Sequence, residues 1–128
     1  MFWNKKIFTA DERIAVDVVD LEAARRWYSE KLGLGYSSTE LAEEEGDMVL
    51  GYSAEQPLVY LVEVEAGERA DARPNHPPIL FAPKVDAAHR YLSSRGVSTN
   101  PVESDRGGNR FFRFRDLEGN EVEVCQQT

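Results

Sequence analysis

"RIAVDVVDLEAARRWYSEKLG" (13–33) is followed further along the chain by "PPILFAPKVDAAHRYLSSRG" (77–96), and the two stretches superimpose. Asp20 falls on Lys84, Ala23 and Ala24 on Ala87 and Ala88, Arg26 on Arg90, Trp27 on Tyr91, and Ser29 on Ser93. The second copy drops one residue before its closing glycine. An internal repeat changes every later assignment, because each copy is then one supersecondary unit that needs a second to complete its core.

Each copy predicts a short apolar strand (14–19, 79–83), Asp or Asp-like cap chemistry, and an amphipathic helix (21–32, 85–95). Gly33 and Gly96 stand where a helix ends in a left-handed C′ residue. Further strand-like segments separated by turn residues follow at 34–38, 47–52 and 57–64, and again at 97–102, 110–115 and 121–126. The order β-α-β-β-β thus occurs twice, which predicts an α+β fold of two tandem modules. Residues 1–12 read as an N-terminal extension and 13–128 as one domain, with module one at 13–65, a polar, Pro-containing linker at 66–76, and module two at 77–128. The acidic run "ELAEEEGD" (40–47) reads as a solvated turn or edge, since its carboxylates are not spaced as a calcium loop.

The chain has 128 residues, 41% of them apolar, which suits one compact domain or two small halves sharing a core. A formal net charge of -8 argues against nucleic acid, whose binding draws on clustered Lys and Arg, and favours neutral or cationic partners. A single cysteine, Cys125, leaves no intrachain disulfide and no Cys-rich zinc site. The longest apolar run, "PLVYLV" (57–62), is too short to span a bilayer, and the start "MFWNKKIFTADER" lacks the apolar stretch of a signal peptide. A cytoplasmic protein with no membrane partner is expected.

The helix "DLEAARRWYSEKLGLGY" resembles the "D-x-x-x-a-x-x-F-Y-x-x-x-L-G" signature of the vicinal oxygen chelate superfamily, which includes glyoxalases, extradiol dioxygenases and bleomycin-resistance proteins. In the tail, Gly108, Arg110, Phe112, Asp116, Gly119 and Asn120 are similar to that family's "G-x-R-x-F-x-x-x-D-P-x-G-N" pattern, with Leu117 in place of proline. The resemblance implies paired modules whose strands curl into a cup that holds the ligand, helices on the outer face, and pairing of two chains as a homodimer. It also implies four metal positions, two from each module, which fall here on Arg13, Tyr60, Pro77 and Glu123.

That quartet is a poor metal site. Arginine only donates, proline offers no side-chain donor atom, and tyrosine must ionise from a pKa near ~10. A divalent ion needs several oxygen or nitrogen ligands together, and one carboxylate is too few. His76, beside Pro77 and Pro78, reads as a linker residue, and His89 as an exposed polar residue of the second helix. No metal and no other cofactor is therefore expected.

Strand alternation puts Arg13, Ala15, Asp17 and Val19 on one face and Ile14, Val16 and Val18 on the other, which should pack on the helices. The family's parity points the first set into the cup. By the same alternation Ile79 and Phe81 face the cup from module two, and Tyr60 joins them with Leu58 and Val62. The expected ligand-binding set is Arg13, Asp17, Tyr60, Phe81, Arg110 and Glu123. Aliphatic and aromatic walls with few polar groups suit a small organic ligand, and a carboxylate beside aromatic rings suits a cationic one. Glu123 paired with Arg13 across the cup, a salt bridge in place of the metal, is the plain structural expectation. The loop "ESDRGGNR" (103–110) reads as a hairpin or lid at the cup mouth, and Cys125 as an unreactive thiol. The rival reading is a lyase, isomerase or dioxygenase in which Glu123 is a catalytic general base, or a ligand in a rearranged metal site with Asp17 or His76.

Overall fold

The computed structural model describes residues 7–10, 12–67 and 77–127. His76 and most of the expected linker lie outside the described residues. Module one comprises β1 (Ile14–Val18), α1 (Leu21–Leu32), β2 (Tyr36–Ser38), β3 (Met48–Ser53) and β4 (Gln56–Glu63). Module two comprises β5 (Ile79–Ala82), α2 (Val85–Ser94), β6 (Glu103–Ser104), β7 (Arg110–Arg115) and β8 (Glu121–Gln126). The fold is α+β, with the βαβββ unit used twice.

The strands form two four-stranded mixed sheets, in the orders β1-β4-β3-β2 and β5-β8-β7-β6. In each, the first and last strands of the module run parallel and the remaining pairs antiparallel. A parallel neighbour needs a crossover, and the helix supplies it.

Local chemistry accounts for α1. The Asp20 carboxylate accepts from the Ala23 N–H at 3.0 Å, and Gly33 closes the helix at φ 75°. The start of α2 departs from the expected cap chemistry, because Lys84 makes no side-chain cap bond. Its orphan Val85 N–H instead donates to Gln126 Oε1 at 3.0 Å, so a residue from the end of β8 caps a helix that begins 41 positions earlier. The strand expected at 97–102 also differs. Residues 98–100 do run along β7, with Asn100 N–H on Arg113 O at 2.9 Å and Arg115 N–H on Ser98 O at 3.1 Å. Pro101 then interrupts the ladder, since it has no N–H to give, and regular pairing resumes only at Glu103 and Ser104.

One core serves both modules. Ile14, Val16 and Val18 are buried as the alternation predicts, together with Tyr28 and Leu32 of α1, Leu80 and Ala82 of β5, Leu92 of α2, and Phe112 and Phe114 of β7. Trp27 of α1 stacks on Phe114 with ring centroids 6.2 Å apart, while His89 of α2 meets Phe112 edge-on at 5.0 Å. The inner face of β7 therefore touches both helices. The other faces of the two sheets turn away from this shared core.

The turn 116–120 locks the modules together. Buried Asp116 accepts from the Tyr28 hydroxyl at 2.7 Å, from the Glu118 and Asn120 N–H groups at 2.9 Å each, and from Asn120 Nδ2 at 3.0 Å. Asn120 Nδ2 also reaches the carbonyl of Asp17 at 3.0 Å, and the Glu118 carboxylate accepts from the N–H groups of Val19 and Asp20. Burial raises the Tyr28 hydroxyl pKa well above its ordinary value, and the Asp116 charge adds to this, so the phenol stays a donor.

The N-terminal segment makes a second tie. Thr9 and Phe81 exchange both backbone hydrogen bonds, at 2.7 and 2.8 Å, which covers the outer edge of β5. Phe8 is buried against Tyr91 of α2, and the Tyr52 hydroxyl of β3 accepts from the Ile7 and Phe8 N–H groups at 3.0 Å. Residues 7–10 of the extension are thus part of the fold.

Candidate functional site

Each outward sheet face carries a pocket. That of module two, about 620 Å³, is lined by Phe81 of β5, Phe111 and Arg113 of β7, Glu123 and Cys125 of β8, and Asp105 and Asn109 of the 105–109 turn, among others. Strand alternation explains the set. Phe111 and Arg113 point outward while Phe112 and Phe114 point into the core, and Glu123 and Cys125 alternate in the same way with buried Val122 and Val124.

Glu123 is wired into this face. Arg113 lies directly across from it in the β7–β8 ladder, and Arg113 Nε donates to Glu123 Oε1 at 3.1 Å. Arg113 also bonds Glu121 at 3.2 Å, and Glu121 is shared with Arg115 at 3.6 Å. The Cys125 thiol donates to Glu123 Oε2 at 3.1 Å. Burial, then the hydrogen bond and charge of Glu123, push the Cys125 pKa up to about 12, so the thiol is inert at neutral pH. With its side chain 16% exposed, Glu123 has one oxygen on a guanidinium and the other on a thiol.

The pocket of module one, about 390 Å³, is lined by Arg13, Ala15, Glu43, Glu44, Asp47, Tyr60 and Val62. It is partly filled by its own chain. The segment 39–47 folds over the sheet, where the Tyr60 hydroxyl accepts from the N–H groups of Glu43 at 2.8 Å and Glu44 at 3.3 Å. The Arg13 guanidinium lies 4.8 Å from the centre of the Tyr60 ring and bonds Glu43 Oε1 at 3.0 Å. Glu40, Glu43, Glu44 and Glu45 of the acidic run are exposed, as expected, but Asp47 is buried and the segment also covers the face that the sequence left open.

The expected site residues separate accordingly. Arg13 and Tyr60 meet on module one, Phe81 and Glu123 on module two, and the two groups lie on different faces. The expected Glu123–Arg13 salt bridge is not formed. Glu123 pairs with Arg113, and Arg13 with Glu43. Arg110 lies elsewhere. It has the inward parity of Phe112 and binds Asp86 in the first turn of α2 through two hydrogen bonds, at 2.5 and 2.9 Å, away from the pocket. That pair holds the Arg110 pKa above its ordinary value and the Asp86 carboxyl below its own, both through the direct hydrogen bond. Asp17 shares the outward parity of Arg13 but lies at the far end of β1, beside the 116–120 turn. His89 is half-buried rather than exposed, with its Nε2 2.9 Å from the Asn100 carbonyl oxygen.

Arg113 is the residue that the sequence reading missed, although a signal was present. The turn closes with Asp116 N–H on Asn120 O, so residues whose numbers sum to the same value as that pair lie opposite one another, and Arg113 must face Glu123. The 105–109 turn is the expected hairpin. Asp105 Oδ1 accepts from the Gly107 and Asn109 N–H groups at 2.8 and 3.0 Å, which helps lower its pKa, though the side-chain bond to Asn109 is the larger cause.

A divalent metal does not fit these residues. Two of the four positions, Arg13 and Tyr60, are engaged with each other on one face, and Glu123 on the other face is held by a guanidinium. No three His, Cys, Asp or Glu side chains come together among the described residues. No helix among them is long and apolar enough to cross a membrane.

Two βαβββ modules that share one core, with a pocket on each outward sheet face, define a tandem-module fold. A model of the Glyoxalase/Bleomycin resistance protein/Dioxygenase superfamily matches residues 12–124, and the chain belongs to that superfamily. Solved structures agree on the fold. An antibiotic binding protein from Streptomyces sp. CB03234 is 23% identical with a TM-score of 0.67, covering 90% of this chain and 93% of its own. A lactoylglutathione lyase from Agrobacterium tumefaciens is 21% identical with a TM-score of 0.65, covering 91% and 92%. A superfamily member from Sphaerobacter thermophilus DSM 20745 is 19% identical with a TM-score of 0.66, covering 90% and 94%. Comparison with curated proteins finds no match.

Proposed function

We propose that the chain binds a small organic ligand in the module-two pocket, without a metal ion, and that it does so as a homodimer in the cytoplasm. The observation that carries this reading is the pocket itself. It has the size of a small-molecule site, the Phe81 and Phe111 rings on its walls, and a few fixed polar groups in Arg113, Glu123 and Asn109. Two carboxylates, Asp105 and Glu123, stand on its lining against one guanidinium, which favours a ligand carrying positive charge. The antibiotic binding protein among the structural relatives supports a binding role, and the lactoylglutathione lyase supports the enzymatic alternative.

The same geometry supports the dimer reading. An outward sheet face is half a cleft, and a second copy related by a two-fold axis would bring its module-one face over this module-two face. That arrangement would set Arg13 and Tyr60 of one copy near Glu123 of the other, which a single chain keeps apart.

The enzymatic alternative makes Glu123 a general base. Such a base must reach a substrate proton; each Glu123 oxygen accepts one hydrogen bond and keeps a second lone pair for that contact. Native mass spectrometry of freshly purified protein tests the proposal in one measurement. The expected result is a dimer with a co-purified organic adduct and no stoichiometric metal. Stoichiometric Fe, Mn, Ni or Zn, lost on Glu123→Ala, overturns it. A pH-dependent turnover that vanishes in Glu123→Gln while ligand binding survives establishes the enzyme instead.

A further inference from the structure

We infer that residues 7–10 form a strap that holds the Phe81 wall of the module-two pocket in place, so that release of the strap loosens the wall and opens the pocket. This rests on the pocket being the ligand site proposed above, yet strap and wall can be tested without a ligand.

Strand geometry makes β5 depend on the strap. The peptide groups of alternate residues in a strand point to opposite edges. The carbonyls of Pro78 and Ala82 face β8, where they accept from the N–H groups of Glu123 at 2.9 Å and Gln127 at 2.8 Å. The peptide groups of Phe81 face the other way, and among the described residues their partner is Thr9, at 2.7 and 2.8 Å. With the strap released that edge is bare, and the segment carrying the Phe81 ring has β8 on one side alone. The Thr9 hydroxyl adds a bond to Gln127 Oε1 at 3.1 Å. Phe81 and Gln127 both line the pocket, so each of these Thr9 hydrogen bonds ends on a wall residue.

The other end of the strap is fastened outside the pocket. Phe8 is buried with its ring edge-on to Tyr91 of α2, the centroids 6.3 Å apart. The Tyr52 hydroxyl accepts from the Ile7 and Phe8 N–H groups at 3.0 Å each. Tyr52 belongs to β3 of module one and does not line the module-two pocket. One phenol oxygen and one buried ring thus fasten a segment that meets the sheet through a single bridge. So short a run opens more readily than the core strands. Loss of the Tyr52 acceptor therefore acts on the pocket only by way of Thr9 and Phe81.

Cys125 reports the state of the wall. It is the single cysteine of the chain, lies opposite Phe81 in the β5–β8 register and lines the same pocket. The experiment measures iodoacetamide alkylation of the full-length protein at pH 8, with urea denaturation in parallel to give global stability. Tyr52→Phe removes the acceptor of both strap N–H groups and should raise the Cys125 rate about tenfold, the order expected when a locally opening segment loses a buried acceptor. Thr9→Pro deletes the N–H given to Phe81 and should raise the rate at least as far. The double variant should add little to Thr9→Pro, because both act through one opening. Tyr28→Phe makes the same chemical change in the same module away from the strap, and should leave the rate unchanged while lowering global stability. Hydrogen exchange at the Phe81 amide should quicken in step with alkylation in the strap variants. Equal rates in Tyr52→Phe and the unaltered protein overturn the inference. So does a Tyr28→Phe rate matching that of Tyr52→Phe, which would trace alkylation to global unfolding. Absence of a co-purified ligand counts against the ligand reading alone, so the two fail separately.

Discussion

The two modules share one element order, yet their outer faces are finished differently. In module two the connection between β6 and β7 is the short turn 105–109, and the face stays open around a carboxylate tied to Arg113 on the next strand. In module one the connection between β2 and β3 runs from 39 to 47, long enough to fold back over Tyr60 and close part of the face with backbone donors. The hairpins differ as well. The β7–β8 ladder is regular, whereas β3–β4 shifts register at Gly51, where a Cβ would meet Gln56 O at 2.2 Å. The two modules thus differ in the connections and hairpins that flank the same element order.

The contrast can be broken or sharpened by experiment. The largest expected effect concerns Cys125. With its pKa pushed up to about 12, alkylation by iodoacetamide at pH 8 should run on the order of 10³-fold slower than for a free thiol, and Glu123→Gln should raise the rate. A rate near that of glutathione would mean that the module-two face is not wired as described. Because the folded state holds that proton more tightly than the unfolded chain, the thiol's contribution to stability is complete below about pH 9 and is lost as the pH rises toward about 12.

Next comes the turn. Asp116→Ala leaves the buried Tyr28 hydroxyl and two backbone N–H groups without their acceptor and should cost about 3 kcal/mol in urea denaturation. Ser53, which falls on Asp116 when the second module is laid over the first, makes no such tie among the described residues, and Ser53→Ala should stay within about 0.5 kcal/mol. Equal costs would show that the two turns are equivalent after all. Gly51→Ala should destabilise by about 2 kcal/mol, because the backbone of Gln56 and Pro57 must move to admit the methyl group. Smallest of all, a double-mutant cycle on Arg13 and Glu43 should give a coupling below about 1 kcal/mol, since the pair is exposed.

Much of the fold was legible. The repeat, the helix limits, the inward parity of Ile14, Val16 and Val18, and the hairpin at 116–120 all follow from short-range patterns, and all stand in the structure. Even the Arg113–Glu123 pair was implicit in the hairpin register. The site was less legible. Tyr60 and Arg13 share one outward face, as strand alternation has it, but neither the loop above them nor the Glu43 partner could be read from residues so far apart in the chain. Arg110 shows the limit of a motif, since the family pattern marked the residue while strand parity, which was readable, sends it to Asp86.

What the sequence determined by itself was therefore local: periodicity, caps, and the register across one tight turn, each fixed within a few residues by backbone geometry. What only the tertiary structure decided was which faces share a core and which turn outward. Trp27 stacking on Phe114, Tyr28 reaching Asp116, and Phe8 entering beside Tyr91 set the two modules back to back through contacts that no short-range pattern encodes. That packing is why Glu123 and Arg13, read as partners, end on different faces and bind different residues.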